Sequence, residues 1–217
     1  MVRSFASSRN YASSRSIAEI PWEVRYEANE LPTASSPAWT KTGSSATEEI
    51  SPTSFLHVDS SSGGPLVYEI TDSGFNSADG ITAEARLKII RGYPSPDWDT
   101  WAEFSVRDGS RYIPVYFATN AVTSGLEGAN EVYSMDTTDD YHVYRLIVAS
   151  TTYELYVDGV LRNFGSSIAS GGAKVIQFRG DSNGLAGMET SWDYVYYSTA
   201  TVTQTLPRSY ESNRTYA

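Results

Sequence analysis

The run ITAEARLKII constrains the fold more than any other part of the chain. Ile81, Ala83, Ala85, Leu87 and Ile89 alternate with Thr82, Glu84, Arg86 and Lys88. A side-chain period of two sorts the apolar set onto one face and the polar set onto the other, so this is a half-buried strand. The alternation returns in WAEFSVRDGSRYIPVYFA, two strands across Asp108-Gly109. It returns again in HVYRLIVASTTYELYVDGVLRNF, with Tyr144, Leu146 and Val148 inward, then Tyr153, Leu155 and Val157, before a second Asp-Gly at Asp158-Gly159. Asp-Gly tolerates positive φ and suits a tight hairpin turn. Clusters of Gly, Pro, Asn, Asp and Ser separate the runs, as in an antiparallel sandwich. No stretch carries a helical period, and no internal repeat is visible. GSSIASGGAK lacks the spacing of a phosphate-binding loop and reads as a hairpin connection.

A chain of 217 residues holds enough apolar sequence for one core, and its 16 tyrosines and five tryptophans pack well on pleated surfaces. The ends differ from the body. Residues 1–20 are Ser-rich and carry Arg3, Arg9 and Arg15 with no acid before Glu19, while residues 200–217 are polar and contain Pro207. Both read as extended arms flanking a body at 21–199.

The net charge of -10 and a pI near 4.6 argue against a phosphate-binding surface, since only a local basic patch could overcome the mean field, so no nucleic-acid partner is expected. Absence of cysteine removes disulfides, thiolate metal sites and a cysteine nucleophile. The first residues lack the continuous apolar stretch of a classical signal peptide, and no run is long enough to span a bilayer. The expected location is a virion or the extracellular space, reached by a route such as lysis with a phage particle, without membrane insertion.

Three segments together resemble the concanavalin A-like lectin/glucanase superfamily, which includes laminin G-like domains. They are WEVRYEANELPTASSPAW, YHVYRLIVASTTYELYVDGVL and IQFRGDSNGLAGMETSWDYVYYS, spanning roughly residues 22–198. Their order resembles the family's first strand, central hairpin and closing strand. The resemblance implies an all-β, two-sheet antiparallel jelly-roll sandwich with one concave sheet.

That superfamily contains glycosidases, whose retaining members need two carboxylates about 5 Å apart. Laminarinase-like members place them on one strand as Glu-x-Asp-x-x-Glu, and this pattern does not occur in the chain. Glu84, Glu103 and Glu131 lie on candidate strands without the required partner. His57 and His142 are the only histidines, and each reads as an ordinary strand or strand-edge residue. The expectation is a protein that is not an enzyme.

Binding is the alternative. RGYPSPDWDTW offers Tyr93, Trp98 and Trp101 as aromatic platforms for pyranose rings, or as rim packing. Glu84, Arg86, Glu103, Arg107, Tyr112 and Tyr116 would line an adjoining polar face. The resemblance also implies a structural Ca²⁺ between the first and closing strands, at positions matching Glu27 and Asp193. Calcium prefers several oxygen ligands. The other reading of Asp193 is a solvated residue on the outer face, opposite core-facing Trp192 and Tyr194. Asp181, Ser182 and Asn183, like Asp136, Asp139 and Asp140, read as polar turns or further oxygen-rich sites.

Two functions fit these features. One is a non-catalytic structural module of an extracellular assembly, such as a phage head-decoration or tail protein whose arms contact neighbouring subunits. The other is a secreted or cell-surface carbohydrate-binding module.

Overall fold

The computed structural model describes residues 20–43, 46–60, 65–72, 74–94, 102–125, 131–169, 172–180 and 187–199. The expected arms therefore lie outside the described residues, apart from Ile20, which is buried. Trp98, Trp101 and the loop of Asp181, Ser182 and Asn183 lie outside them too.

Strands dominate. In chain order they are β1 (Val24–Tyr26), β2 (Thr40–Thr42), β3 (Thr47–Ile50), β4 (Leu56–Asp59), β5 (Leu66–Thr71), β6 (Ile81–Arg91), β7 (Ala102–Asp108) and β8 (Arg111–Ala118). There follow β9 (Ala121–Ser124), β10 (Glu131–Ser134), β11 (His142–Ala149), β12 (Thr152–Val157), β13 (Val160–Ser166), β14 (Ile168–Ala169), β15 (Lys174–Gly180) and β16 (Glu189–Ser198). A single 3-10 turn, Pro32–Ala34, is the helical content of the described residues. No helix there is long and apolar enough to cross a membrane.

The strands form two antiparallel sheets. The first runs β13-β12-β11-β6-β16-β4-β3, with β1 also paired to β16. The second runs β10-β9-β8-β7-β15-β5-β2, with β14 added beside β8. This is the expected jelly-roll sandwich, and the first strand does pair with the closing strand: Val24 faces Tyr197 and Tyr26 faces Val195.

The alternation in β6 does what its pattern requires, because Ile81, Ala83, Ala85, Leu87 and Ile89 are all wholly buried between the sheets. Tyr144, Leu146 and Val148 of β11 join them, as do Tyr153, Leu155 and Val157 of β12. Aromatic rings bridge the layers. Phe178 of β15 lies 4.8 Å from Trp192 of β16, 5.1 Å from Trp39, 5.2 Å from Tyr68 and 6.1 Å from Tyr26. Phe117 of β8 extends the cluster to Tyr144 at 4.6 Å. Such tilted and edge contacts add to the burial of large apolar surfaces.

Two details depart from the reading of the sequence. Tyr194 does not face the core: Trp192 pairs with Leu87 and Tyr194 with Arg86, so Asp193 is an extra residue that flips every later side chain. GSSIASGGAK is not a simple hairpin connection. Ser166 ends β13 in the first sheet, whereas Ile168 pairs with Tyr112 in the second, so the chain changes layers here.

The Asp-Gly turns also differ from one another. Asp158 and Gly159, with φ of 50° and 76°, form a two-residue turn between paired Val157 and Val160. Asp108 works instead through its carboxylate. It accepts hydrogen bonds from the Ser110 and Arg111 amides at 2.8 and 2.6 Å and from the Ser77 amide at 3.1 Å. Burial works to raise the Asp108 pKa, but these bonds outweigh it and hold the carboxyl below its ordinary value.

Two stability measurements check this account. Phe178→Ala should cost about 3–5 kcal/mol in denaturant unfolding, whereas Phe164→Ala, at a side chain 68% exposed, should stay within about 0.5 kcal/mol. Asp108→Ala should destabilise at neutral pH. Because the folded pKa is depressed, the difference from wild type should hold above the unfolded value of about 3.9 and vanish as pH falls through the lower folded value.

Candidate functional site

The inner faces are consumed by the core, so chemistry is left to the two outer faces. They carry matched features. On the first sheet, Glu84 is 5% exposed; it accepts a hydrogen bond from the Tyr194 hydroxyl at 2.9 Å and another from Arg145 Nε at 2.6 Å. On the second, Glu103 is 0% exposed, accepts a hydrogen bond from the Tyr112 hydroxyl at 2.7 Å and pairs with Arg179 Nη2 at 2.8 Å. Each face thus holds a buried carboxylate between a phenol and a guanidinium.

Around that shared motif the faces diverge. The first is closed on itself. Arg86 pairs with Asp193 and lies over the Tyr141 ring, whose hydroxyl meets Ser191 Oγ at 2.6 Å. Tyr194 and Tyr196 stack at 4.3 Å, and Tyr196 donates to Glu27 at 2.6 Å. Among the described residues, no buried side-chain polar atom on this face lacks a partner.

The second face is not closed. Register places Arg179, Glu103, Tyr116 and Thr123 in one row across β15, β7, β8 and β9, with Gln177, Ser105 and Pro114 in the next. Arg107 and Tyr112 pair in the row beyond, and the Arg107 guanidinium lies 4.3 Å from the centre of the Tyr112 ring. The hydroxyls of Ser105 and Thr123 and the Arg107 Nε are buried without a hydrogen-bond partner. Buried polar groups are ordinarily satisfied, so these three atoms are exceptions, as are Trp39 Nε1 and the hydroxyls of Tyr68 and Tyr144 in the core. The Tyr112 hydroxyl bonds Glu103 from four residues along the sheet from Glu103's own partner Tyr116, which it approaches at 3.4 Å. Burial, then the Glu103 charge and Tyr116, raise the Tyr112 pKa far above the ordinary phenol value, so it acts as a neutral donor.

The structure thus brings together Glu103, Arg107, Tyr112 and Tyr116, and it separates them from Glu84 and Arg86, which belong to the opposite sheet. Tyr93 is half-buried, and its carbonyl accepts the Thr119 amide at 2.8 Å beside the β8–β9 turn. Arg179, Ser105, Gln177 and Thr123 were not singled out in the sequence. The long-range pairing of β15 brings in Arg179 and Gln177, whereas Ser105 shares the period of Glu103 and Arg107 on β7, and Thr123 lies one hairpin beyond β8.

Glu27 and Asp193 each meet a partner of their own. Asp193 is occupied by a guanidinium and Glu27 by a phenol, and no group of three His, Cys, Asp or Glu side chains among the described residues could hold a metal. Asp136 accepts from the Thr138 amide and hydroxyl at 2.8 and 2.7 Å, as a turn residue does. His57 meets Glu189 at 2.8 Å, and His142 bridges Asp158 and Asp139 at 2.7 and 2.9 Å.

No family profile matches the chain, and no curated protein matches it by sequence. Solved structures do match by shape. A Bacillus licheniformis beta-glucanase has a TM-score of 0.59 at 13% identity, over 83% of this chain and 99% of that one. The Crh5 transglycosylase in complex with NAG has a TM-score of 0.60 at 10% identity, over 83% and 85%. The cellulose induced protein Cip1 has a TM-score of 0.59 at 9% identity, over 83% and 99%. At such identities the likeness establishes architecture alone. The chain has the concanavalin A-like jelly-roll fold.

Proposed function

We propose that the outer face of the second sheet binds carbohydrate without cleaving it. The observation that carries this reading is the contrast between the two outer faces: both hold a Glu–Tyr–Arg cluster, but among their described residues the buried polar atoms without partners lie on the second face. A sugar presents many hydroxyls, each able to donate and accept, and half-buried guanidinium and phenol groups, oriented by the buried Glu103 carboxylate beneath them, are suited to reading them. The half-buried rings of Tyr112 and Tyr116 add apolar surface for pyranose CH groups. The glucanase and the NAG-bound transglycosylase among the similar folds lend support.

Binding is favoured over hydrolysis by the supply of carboxylates. On β8 the positions sharing the outer face are Tyr112, Pro114 and Tyr116, none of them acidic. The other acid on the described face is Glu69, two strands from β7, a separation of about 10 Å or more from strand spacing alone. Glycosidase pairs stand closer, at about 5 to 9.5 Å.

The assembly role is a separate proposal. It depends on residues 1–19 and 200–217, outside the described residues.

The matched carboxylates supply the experiment. Glu103→Gln and Glu84→Gln both take a buried charge from a guanidinium, so both should lower stability. In affinity electrophoresis against a panel of soluble polysaccharides, Glu103→Gln should weaken retention at least about tenfold, as expected for loss of a charge-assisted network. Glu84→Gln should leave retention at the wild-type level. Equal effects of the two substitutions would contradict the assignment of the face.

A further inference from the structure

Among the described residues of this acidic protein four arginines meet carboxylates, whereas the exposed Arg162 lies over the Tyr133 ring. Arg86 pairs with Asp193, Arg145 with Glu84, Arg179 with Glu103, and Arg91 with both Asp59 and Glu189. Arg107 does not. It is half-buried on the open face, its neighbours across the sheet are Tyr112 and Val175, and among the described residues no carboxylate pairs with it. Its Nε is buried without a hydrogen-bond partner, and the next outward residue along the strand is Ser105, whose hydroxyl is equally unpartnered.

A partly desolvated guanidinium normally has a counter-charge, because its removal from water is otherwise uncompensated. The charge of Glu103 does not serve, since Arg179 already holds that carboxylate. Asp108, adjacent in sequence, is spent on the Ser77, Ser110 and Arg111 amides. The Arg107 guanidinium packs over the Tyr112 ring at 4.3 Å, and a planar fork held there matches a planar carboxylate in two-point contact.

Resting on the carbohydrate-binding reading of this face, we propose that its ligand is an acidic glycan and that Arg107 reads the carboxylate of a uronic acid residue. Selectivity of this kind must be local. The protein's net charge of -10 repels a polyanion at long range, so the preference cannot come from the mean field.

The test uses the full chain and four soluble probes: polygalacturonate, the same polymer methyl-esterified, a neutral β-glucan and a sulfated glycan. Titration calorimetry should show polygalacturonate bound at least about tenfold more tightly than its ester, the worth of one charge-assisted hydrogen-bonded contact. Arg107→Met should bring acid and ester to near parity. Arg107→Lys, which keeps the charge but not the fork, should recover only part of the difference. Thermal unfolding of each variant reports whether it is folded, and the wild-type comparison of acid with ester stands without them. Equal affinity for acid and ester, a preference that survives Arg107→Met, or tighter binding of the sulfated glycan would each overturn the inference while leaving glycan binding intact. No binding of any probe would overturn the underlying reading with it.

Discussion

The contact between Phe178 and Trp192 ties the molecule together. One ring stands on β15 in the second sheet, the other on β16 in the first, and their centres lie 4.8 Å apart. β16 is flanked by β6 on one side and by β4 and β1 on the other, while β15 lies between β7 and β5. The aromatic pair therefore joins the interior of one layer to the interior of the other. Tyr26, Trp39 and Tyr68 pack around Phe178 and draw the N-terminal part of the chain into the same cluster. With the inner faces committed in this way, strand alternation dictates that every second residue of β6, β7, β8 and β15 points outward.

How those outward residues are used sets the two faces apart. Glu84 and Glu103 hold almost the same local arrangement, a buried carboxylate between a tyrosine hydroxyl and an arginine. On the first sheet the surrounding groups close on one another, through Arg86 with Asp193, Tyr141 with Ser191, and Tyr196 with Glu27. Such a network rigidifies a surface and leaves little for a ligand to complete. On the second sheet Arg107, Ser105 and Thr123 keep polar atoms without protein partners. The same chemical vocabulary closes on itself on one side and is left partly unpaired on the other.

Much of this was legible in the chain, for reasons tied to particular elements. The period-two pattern of β6 named its buried residues, and the Tyr-Arg-Leu strand with Leu-Tyr-Val-Asp-Gly pointed to the central hairpin of β11 and β12. Glu103, Arg107, Tyr112 and Tyr116 were legible as a group because β7 and β8 are joined by a short turn. The position of Arg86 was not legible: β6 and β7 are consecutive in sequence yet lie in opposite sheets, and no local signal marks the change of layer. Nor was the outward aim of Tyr194, since a single-residue bulge at Asp193 leaves the apolar alternation unmarked. Arg179 and Gln177 were missed because their place beside Glu103 and Ser105 depends on pairing between strands about seventy residues apart in the chain.

Recognition by the second sheet's outer face is tested most directly by an amide chemical-shift map. Titrating an isotopically labelled sample with an oligosaccharide that the protein retains should move the backbone amides of Ser105, Arg107, Thr123 and Gln177. Those of Glu84, Arg86, Ser191 and Tyr196 on the opposite face should stay in place. Shifts confined to the first-sheet set, or spread equally over both, would contradict the claim.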